Sequence, residues 1–253
     1  MIEYSIVMPA YNESDKIASS LTQVVNFMKF FSQRFEIIVV DDGSLDKTAE
    51  LVEAYALSVP EIRLIKNPHK GKGPTVWTGM NEARGQYIYL ADADLAAPIT
   101  ELKKLALWVY DQDYDIVIAS REGVGAVRVG EPFYRHLMGR VFNLLVQLIA
   151  LPGINDSQCG FKLFKASVAK DIFSRLKLYG NASTAIKRPY TGAFDVEVLY
   201  LAKKLKYKVK EVPVTWTFVK TVRVDPFTDS FKMAWDVLKI KFNDLKGVYG
   251  KFL

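Results

Sequence analysis

The sequence predicts an α/β fold, with a mostly parallel central sheet flanked by helices. Three observations carry this. Short apolar or β-branched runs alternate with helix-length stretches through the first half of the chain, the order that builds parallel strands joined by crossover helices. The run Ile37-Ile38-Val39-Val40 has no polar alternation, as expected of a strand buried on both faces. Acidic residues follow directly on two such runs, at Asp41-Asp42 and at Asp92-Ala93-Asp94. In open parallel sheets, ligands sit beyond the carboxyl ends of the strands.

In order, residues 5–8 read as a strand ending at Pro9. Residues 13–31 read as a helix with Asn12 as its N-cap. A strand over 36–40, a helix over 46–58 and a strand over 62–66 follow. The loop 67–74 precedes a helix over 75–84, with Gly85 placed where a C′ glycine would end it. Then come a strand over 87–91, a helix over 100–110 and a strand over 115–119. The second half is less regular: a Gly/Val/Arg loop over 121–131, an apolar helix over 134–151, a helix over 194–205, a strand or hairpin arm over 208–216, and a last helix from 227. No Pro/Ser-rich linker appears. The chain divides into one domain, 1–225, and a C-terminal amphipathic extension, 226–253.

Half of the 253 residues are hydrophobic, enough for a sizeable core. A single cysteine excludes an intrachain disulfide and fits a reducing compartment. Two histidines make a Cys/His zinc site implausible. The first residues enter a strand without a basic, then apolar, leader pattern, and no 18-residue uncharged apolar stretch is present. The net charge of +6 suits an anionic partner such as a nucleotide, a lipid phosphate or a membrane surface. Nucleic acid is disfavoured, because the basic residues lack an interleaved aromatic platform.

In an extended segment Asp92 and Asp94 point the same way, with small Ala93 between them. Two such carboxylates can hold Mg²⁺ or Mn²⁺, which bridges to a diphosphate. Asp41-Asp42-Gly43-Ser44 can accept hydrogen bonds from a base or ribose, with Asp42 within reach of the metal. The same segment also reads as a helix-entry turn capped by Ser44 or Asp46. Lys70-Gly71-Lys72-Gly73 places cations ahead of a helix, where free N–H groups favour phosphate. It is not a Walker motif.

Four segments now occur in order: Met8-Pro9-Ala10-Tyr11-Asn12-Glu13, Val39 to Ser44, His69 to Gly73, and Ala91-Asp92-Ala93-Asp94. Together they resemble the family 2 inverting glycosyltransferases, which have the GT-A fold. Ala119-Ser120-Arg121, Asn155-Asp156-Ser157-Gln158-Cys159-Gly160-Phe161-Lys162, Phe194-Asp195-Val196-Glu197 and Glu211-Val212-Pro213-Val214 look like the branch that makes dolichyl-phosphate glucose and mannose. The resemblance covers residues 4–216. It implies that Pro9, Tyr11, Glu13 and Asp41 hold the nucleoside and that Lys72 lies near the donor phosphates. Asp92 and Asp94 would hold the metal, while Arg121 and Arg135 face the donor diphosphate and the acceptor phosphate. Mannose synthases of this group place Gln two residues after the second metal Asp; here that position is Ala96. The Gln158-Cys159-Gly160-Phe161-Lys162 run leans towards glucose.

A phosphate monoester, with a second pKa of ~6, is ionised at neutral pH and needs no general base. It needs cations instead, and Arg121, Arg128 and Arg135 suit that task. The sequence therefore predicts a hexosyltransferase acting from a UDP- or GDP-sugar onto a polyprenyl phosphate, at the cytoplasmic face of a membrane. Two alternatives remain. With a sugar hydroxyl or lipid-linked glycan as acceptor, Asp156 is the first base candidate, followed by Asp195 and Glu197. The other alternative is a nucleotide-binding module without catalysis. Cys159 reads as a packed small residue. The apolar stripes of 134–151 and of the tail, flanked by Arg135, Arg140, Lys232, Lys239, Lys241 and Lys246, suit either core packing or a membrane interface.

Overall fold

The computed structural model of the chain describes residues 1–180, 190, 192–219 and 226–250. Its centre is a seven-stranded sheet in the order β3 (Ile62–Lys66), β2 (Phe35–Asp41), β1 (Tyr4–Ala10), β4 (Tyr87–Leu90), β7 (Lys162–Lys165), β5 (Ile116–Ser120), β8 (Val209–Pro213). All neighbours are parallel except β7, which runs antiparallel to both β4 and β5. Val7 sits opposite Ile38 on one side and Leu90 on the other. The strand order thus reverses beside β1, and the loops leaving β1, β2 and β4 open onto one crevice.

Side-chain alternation along the strands divides the core into two layers. Ile6, Ile37 and Tyr89 pack towards α1 (Ile17–Phe31) and α4 (Leu102–Tyr110). Val7, Ile38 and Leu90 pack towards α3 (Lys72–Glu82), α6 (Ala166–Ser174) and α7 (Phe194–Lys204). α2 (Thr48–Ser58) covers the β2–β3 edge. A small second sheet pairs β6 (Val127–Val129) with β9 (Thr215–Thr217). α5 (Phe133–Ile149) packs beside the last helix, α8 (Pro226–Leu245).

The tail is seated on the α/β domain. Val237, Ile240 and Tyr249 belong to the same core layer as α7, and Tyr249 donates to the buried Glu197 at 2.8 Å. Tyr249 therefore faces inward, as the core-packing alternative for the tail requires.

Several local expectations need correction. Asn12 does not cap α1. It adopts a left-handed φ of 51°; its N–H donates to Ser44 Oγ at 2.9 Å, and its side-chain oxygen accepts the Leu45 N–H at 2.7 Å. Gly85 is not a positive-φ cap. It lies against β1, where a Cβ would stand 2.6 Å from Ser5 N. α3 begins at Lys72, so the basic loop is partly helical. β6 sits inside the segment 121–131 expected to be a loop, and β7 and α6 were not expected. β7 is obscured because Lys162, 1% exposed, is buried within it and bonded to Asp195 and the Cys159 carbonyl.

Glu197, with no exposure, accepts backbone N–H groups from Lys177 (2.8 Å), Leu178 (3.0 Å) and Tyr179 (3.2 Å) besides the Tyr249 hydroxyl. Burial pushes its carboxyl above the usual range. Its work is structural, which removes it as a base candidate. Glu197→Ala leaves these donors buried without an acceptor and is expected to cost about 3 kcal/mol in urea denaturation. A loss below about 1 kcal/mol would contradict this role.

Candidate active site

The crevice is built from backbone turns that hold one another. The turn after β1 is tied to the turn after β2: Glu13 N–H donates to Thr48 Oγ1 at 2.7 Å, and Ser14 N–H to Asp46 Oδ2 at 3.0 Å. Asp46 also accepts the Thr48 N–H at 2.9 Å, the helix-entry contact expected of it. Pro9 is the penultimate residue of β1, and Tyr11 and Glu13 follow that strand. Asp41 ends β2. Its Oδ2 accepts the Ser44 N–H at 3.0 Å, while its Oδ1 is buried without a hydrogen-bond partner.

Asp42 does different work. Its oxygens accept Lys70 N–H at 2.8 Å and Gly71 N–H at 2.9 Å, and its Oδ2 accepts His69 Nδ1 at 2.8 Å. The His69 ring stacks on Tyr11 at 4.3 Å. Asp42 therefore folds the basic loop and does not reach for a metal. Gly71, at φ 91°, takes a left-handed turn that a side chain would strain, and so launches α3 at Lys72.

Lys72 Nζ then meets Asp92 Oδ1 at 2.5 Å. Burial opposes the ammonium, yet Asp92 and Asp195 hold its pKa above the ordinary lysine value. Asp92 and Asp94 flank the buried Ala93, both half-buried. Burial and then the Asp92 charge push the Asp94 carboxyl up, and the Ala96 N–H at 3.1 Å opposes this. Such like charges side by side call for a cation. Gly160 makes room for this pair: a Cβ there would stand 2.0 Å from Asp92 Oδ2. Hard carboxylate oxygens fit Mg²⁺ or Mn²⁺. Among the described residues no cluster of three or more metal-binding side chains forms.

Asp92 also lines a cavity of about 320 Å³ with Arg121, Arg135, Asp195, Trp216 and Phe218. Arg121 grips Asp156 through Nε and Nη2, both at 2.8 Å, and lies 5.3 Å over the Trp216 ring. Arg135 lies 5.1 Å over Phe218. Arg128 lines the same cavity and pairs with Glu131 at 2.5 Å and Glu122 at 2.6 Å. Asp156 has no exposure. Burial opposes its charge, but Arg121 wins and holds its carboxyl down at about 2. With both oxygens on Arg121, Asp156 does not suit a general base; it aims the guanidinium. Asp156 N–H in turn donates to Glu211 Oε1 at 2.8 Å. Cys159 is buried, and burial pushes its thiol up to about 11, away from nucleophile chemistry.

The reading of the residues missed Gly160, Trp216, Phe218 and the organising role of His69. Gly160 lay within a motif already singled out, and its lack of a side chain was the available signal. The aromatic pair lies just beyond β8, where spacing alone names no partner.

Fold and crevice define a GT-A protein, an open sheet with a carboxylate pair at the end of β4. Residues 5–173 match the profile of Glycosyl transferase family 2. The chain is 36% identical to a dolichyl-phosphate beta-glucosyltransferase of Dictyostelium discoideum, over 98% of this chain and 76% of that one. Among solved structures it resembles a mannosyltransferase of Pyrobaculum calidifontis in complex with GDP-Man and Mn²⁺, with a TM-score of 0.58 and 19% identity, over 87% of this chain and 58% of that one. It also resembles a glucosyl-3-phosphoglycerate synthase of Mycobacterium tuberculosis in complex with Mn²⁺, UDP and glucosyl-3-phosphoglycerate, with a TM-score of 0.63 and 17% identity, over 94% of this chain and 78% of that one. The chain belongs to Glycosyl transferase family 2.

Asp156→Asn removes the buried charge that faces the partly buried Arg121 guanidinium. It is expected to lower stability by about 3 kcal/mol in denaturant titration. Unchanged stability would return Asp156 to the role of a free base.

Proposed function

We propose that this chain transfers a hexose, glucose before mannose, from a UDP- or GDP-sugar to a polyprenyl phosphate such as dolichyl phosphate, with inversion at the anomeric carbon. The observation that carries this reading is one cavity lined by Asp92 together with Arg121 and Arg135. The similarity to a dolichyl-phosphate beta-glucosyltransferase over nearly the whole chain supports the lipid phosphate and the preference for glucose.

In this reading Pro9, Tyr11, Glu13 and Asp41 hold the nucleoside. The unpartnered Asp41 Oδ1 accepts a ring N–H, which uracil and guanine both present. Asp42 acts indirectly, through the loop that it folds. Lys72 sets a cation beside the donor phosphates. Arg121 and Arg135 bind the acceptor phosphate and hold it against the anomeric carbon, offsetting the repulsion between two anions. One phosphate oxygen forms the new bond to that carbon from the face opposite the departing diphosphate, which keeps the electron pair of the breaking C–O bond. No proton moves, so no base is required. A divalent cation held by Asp92 and Asp94 supplies neutralisation of the leaving group.

The lipid acceptor implies a membrane surface, and the exposed apolar faces of α5 and α8 support one. Leu137, Val141, Leu144 and Leu148 are more than half exposed. So are Phe231, Trp235, Phe242 and Leu245, beside the basic Lys232, Lys239, Lys241 and Lys246. Among the described residues no helix is long and apolar enough to cross a membrane. The free thiol of Cys159 fits the reducing, cytoplasmic face.

Two measurements test this. A panel of UDP- and GDP-sugars with dolichyl phosphate and either Mg²⁺ or Mn²⁺ is expected to give lipid-linked hexose from one pairing; no product from any pairing contradicts the reading. In sedimentation with anionic vesicles the protein is expected to bind, with Leu148→Glu and Phe231→Glu each weakening binding about tenfold. Equal binding by the variants would remove the membrane face.

A further inference from the structure

Asp236, on α8, is buried. Asp236 Oδ2 accepts hydrogen bonds from two phenols, Tyr179 at 2.6 Å and Tyr190 at 2.7 Å. Burial and the adjacent carboxylate push both phenols above the ordinary tyrosine value, so both stay protonated and donate. Each tyrosine leads to a different part of the site. The Tyr190 carbonyl accepts the Lys72 N–H at 3.2 Å, at the first residue of α3. The Tyr179 hydroxyl accepts the Ala193 N–H at 2.7 Å, immediately before α7. Two residues further on, Asp195 lines the cavity.

The Tyr179 ring is wedged between two glycines. A Cβ on Gly73 or on Gly192 would stand 2.6 Å from it. One of these glycines belongs to the start of α3 and the other to the approach to α7. On α8 itself, Ser230 and Met233 line the same cavity as Arg121 and Arg135.

We propose that Asp236 is a positioning residue: by accepting both phenols, it ties the Lys72 end of α3 and the Asp195 end of α7 to the helix that borders the acceptor cavity. The proposal rests on the reading of Lys72 as the cation beside the donor phosphates. Neither Asp236 nor the tyrosines need touch substrate. Their effect is to hold the donor cation in register with the helix that receives the acceptor. Because Oδ2 alone accepts both phenols, and a carbonyl oxygen has two lone pairs, an amide at this position keeps both phenols and gives up only the Oδ1 contact to Lys239, while a methyl group abolishes the link.

The test compares the full chain with Asp236→Ala, Asp236→Asn and Tyr190→Phe. Nucleoside diphosphate affinity is read by calorimetry with Mn²⁺ and without acceptor, and the KM values for donor and acceptor are read separately. Asp236→Ala and Tyr190→Phe are expected to weaken nucleoside diphosphate binding and raise donor KM about tenfold, with acceptor KM within about twofold of the parent. Asp236→Asn is expected to restore donor KM to within about twofold. Unchanged donor affinity in Tyr190→Phe, or donor and acceptor KM rising together in Asp236→Ala, would reduce Asp236 to a packing role and overturn the proposal. Failure of the parent chain to bind any nucleoside diphosphate would instead overturn the reading of Lys72 beneath it.

Discussion

Two carboxylates of like charge, held side by side at the end of a buried strand, are the constraint around which this molecule is arranged. Asp92 and Asp94 follow β4 with only a buried alanine between them, and the rise in the Asp94 pKa records the cost of their proximity and burial. The protein meets part of that cost with Lys72. Much of the donor side exists to put Lys72 there: Asp42 gathers the N–H groups of Lys70 and Gly71, Gly71 turns left-handed, and α3 starts at the lysine itself. Gly160 contributes by having no side chain where Asp92 must lie.

On the proposed reading, the acceptor side solves the opposite problem, keeping a guanidinium aimed into the cavity rather than onto Asp92 and Asp94. Arg121 is fixed on two sides by Asp156 and on its face by Trp216. Asp156 is itself held by Glu211 at the other end of the motif pair. The result is a guanidinium whose direction is set before any ligand arrives, which is where electrostatic catalysis gains its advantage over water. Arg128, on the same cavity, is fixed likewise by Glu122 and Glu131.

Much of the fold, and the placement of the acidic residues at strand ends, was legible because it rests on local rules. Unbroken β-branched runs mark doubly buried strands, and acidic residues just after them mark the ligand edge. Legibility ended where one residue's role depends on a distant partner. Lys162 hides β7 because a lysine inside a buried strand becomes acceptable only when Asp195, 33 positions on, is there to pair with it. Asp156 reads as a base until Arg121 is seen to occupy both its oxygens. Tyr249 fits the apolar stripe of the tail by spacing, which suits core and interface alike, and turns inward because Glu197 lies beneath it. Asn12 suits an N-cap by type, but the neighbouring turn claims its side chain first. In each case a long-range hydrogen bond decides what local preference does not.

The central claim is that Asp92 and Asp94 form a cation site completed by the phosphates of a nucleotide. Electron paramagnetic resonance of free Mn²⁺, titrated with the protein in the presence and absence of UDP or GDP, tests it most directly. The account predicts that nucleoside diphosphate strengthens Mn²⁺ binding and that Asp94→Asn weakens it at least about tenfold. Mn²⁺ binding that is indifferent to both the nucleotide and the substitution would contradict it.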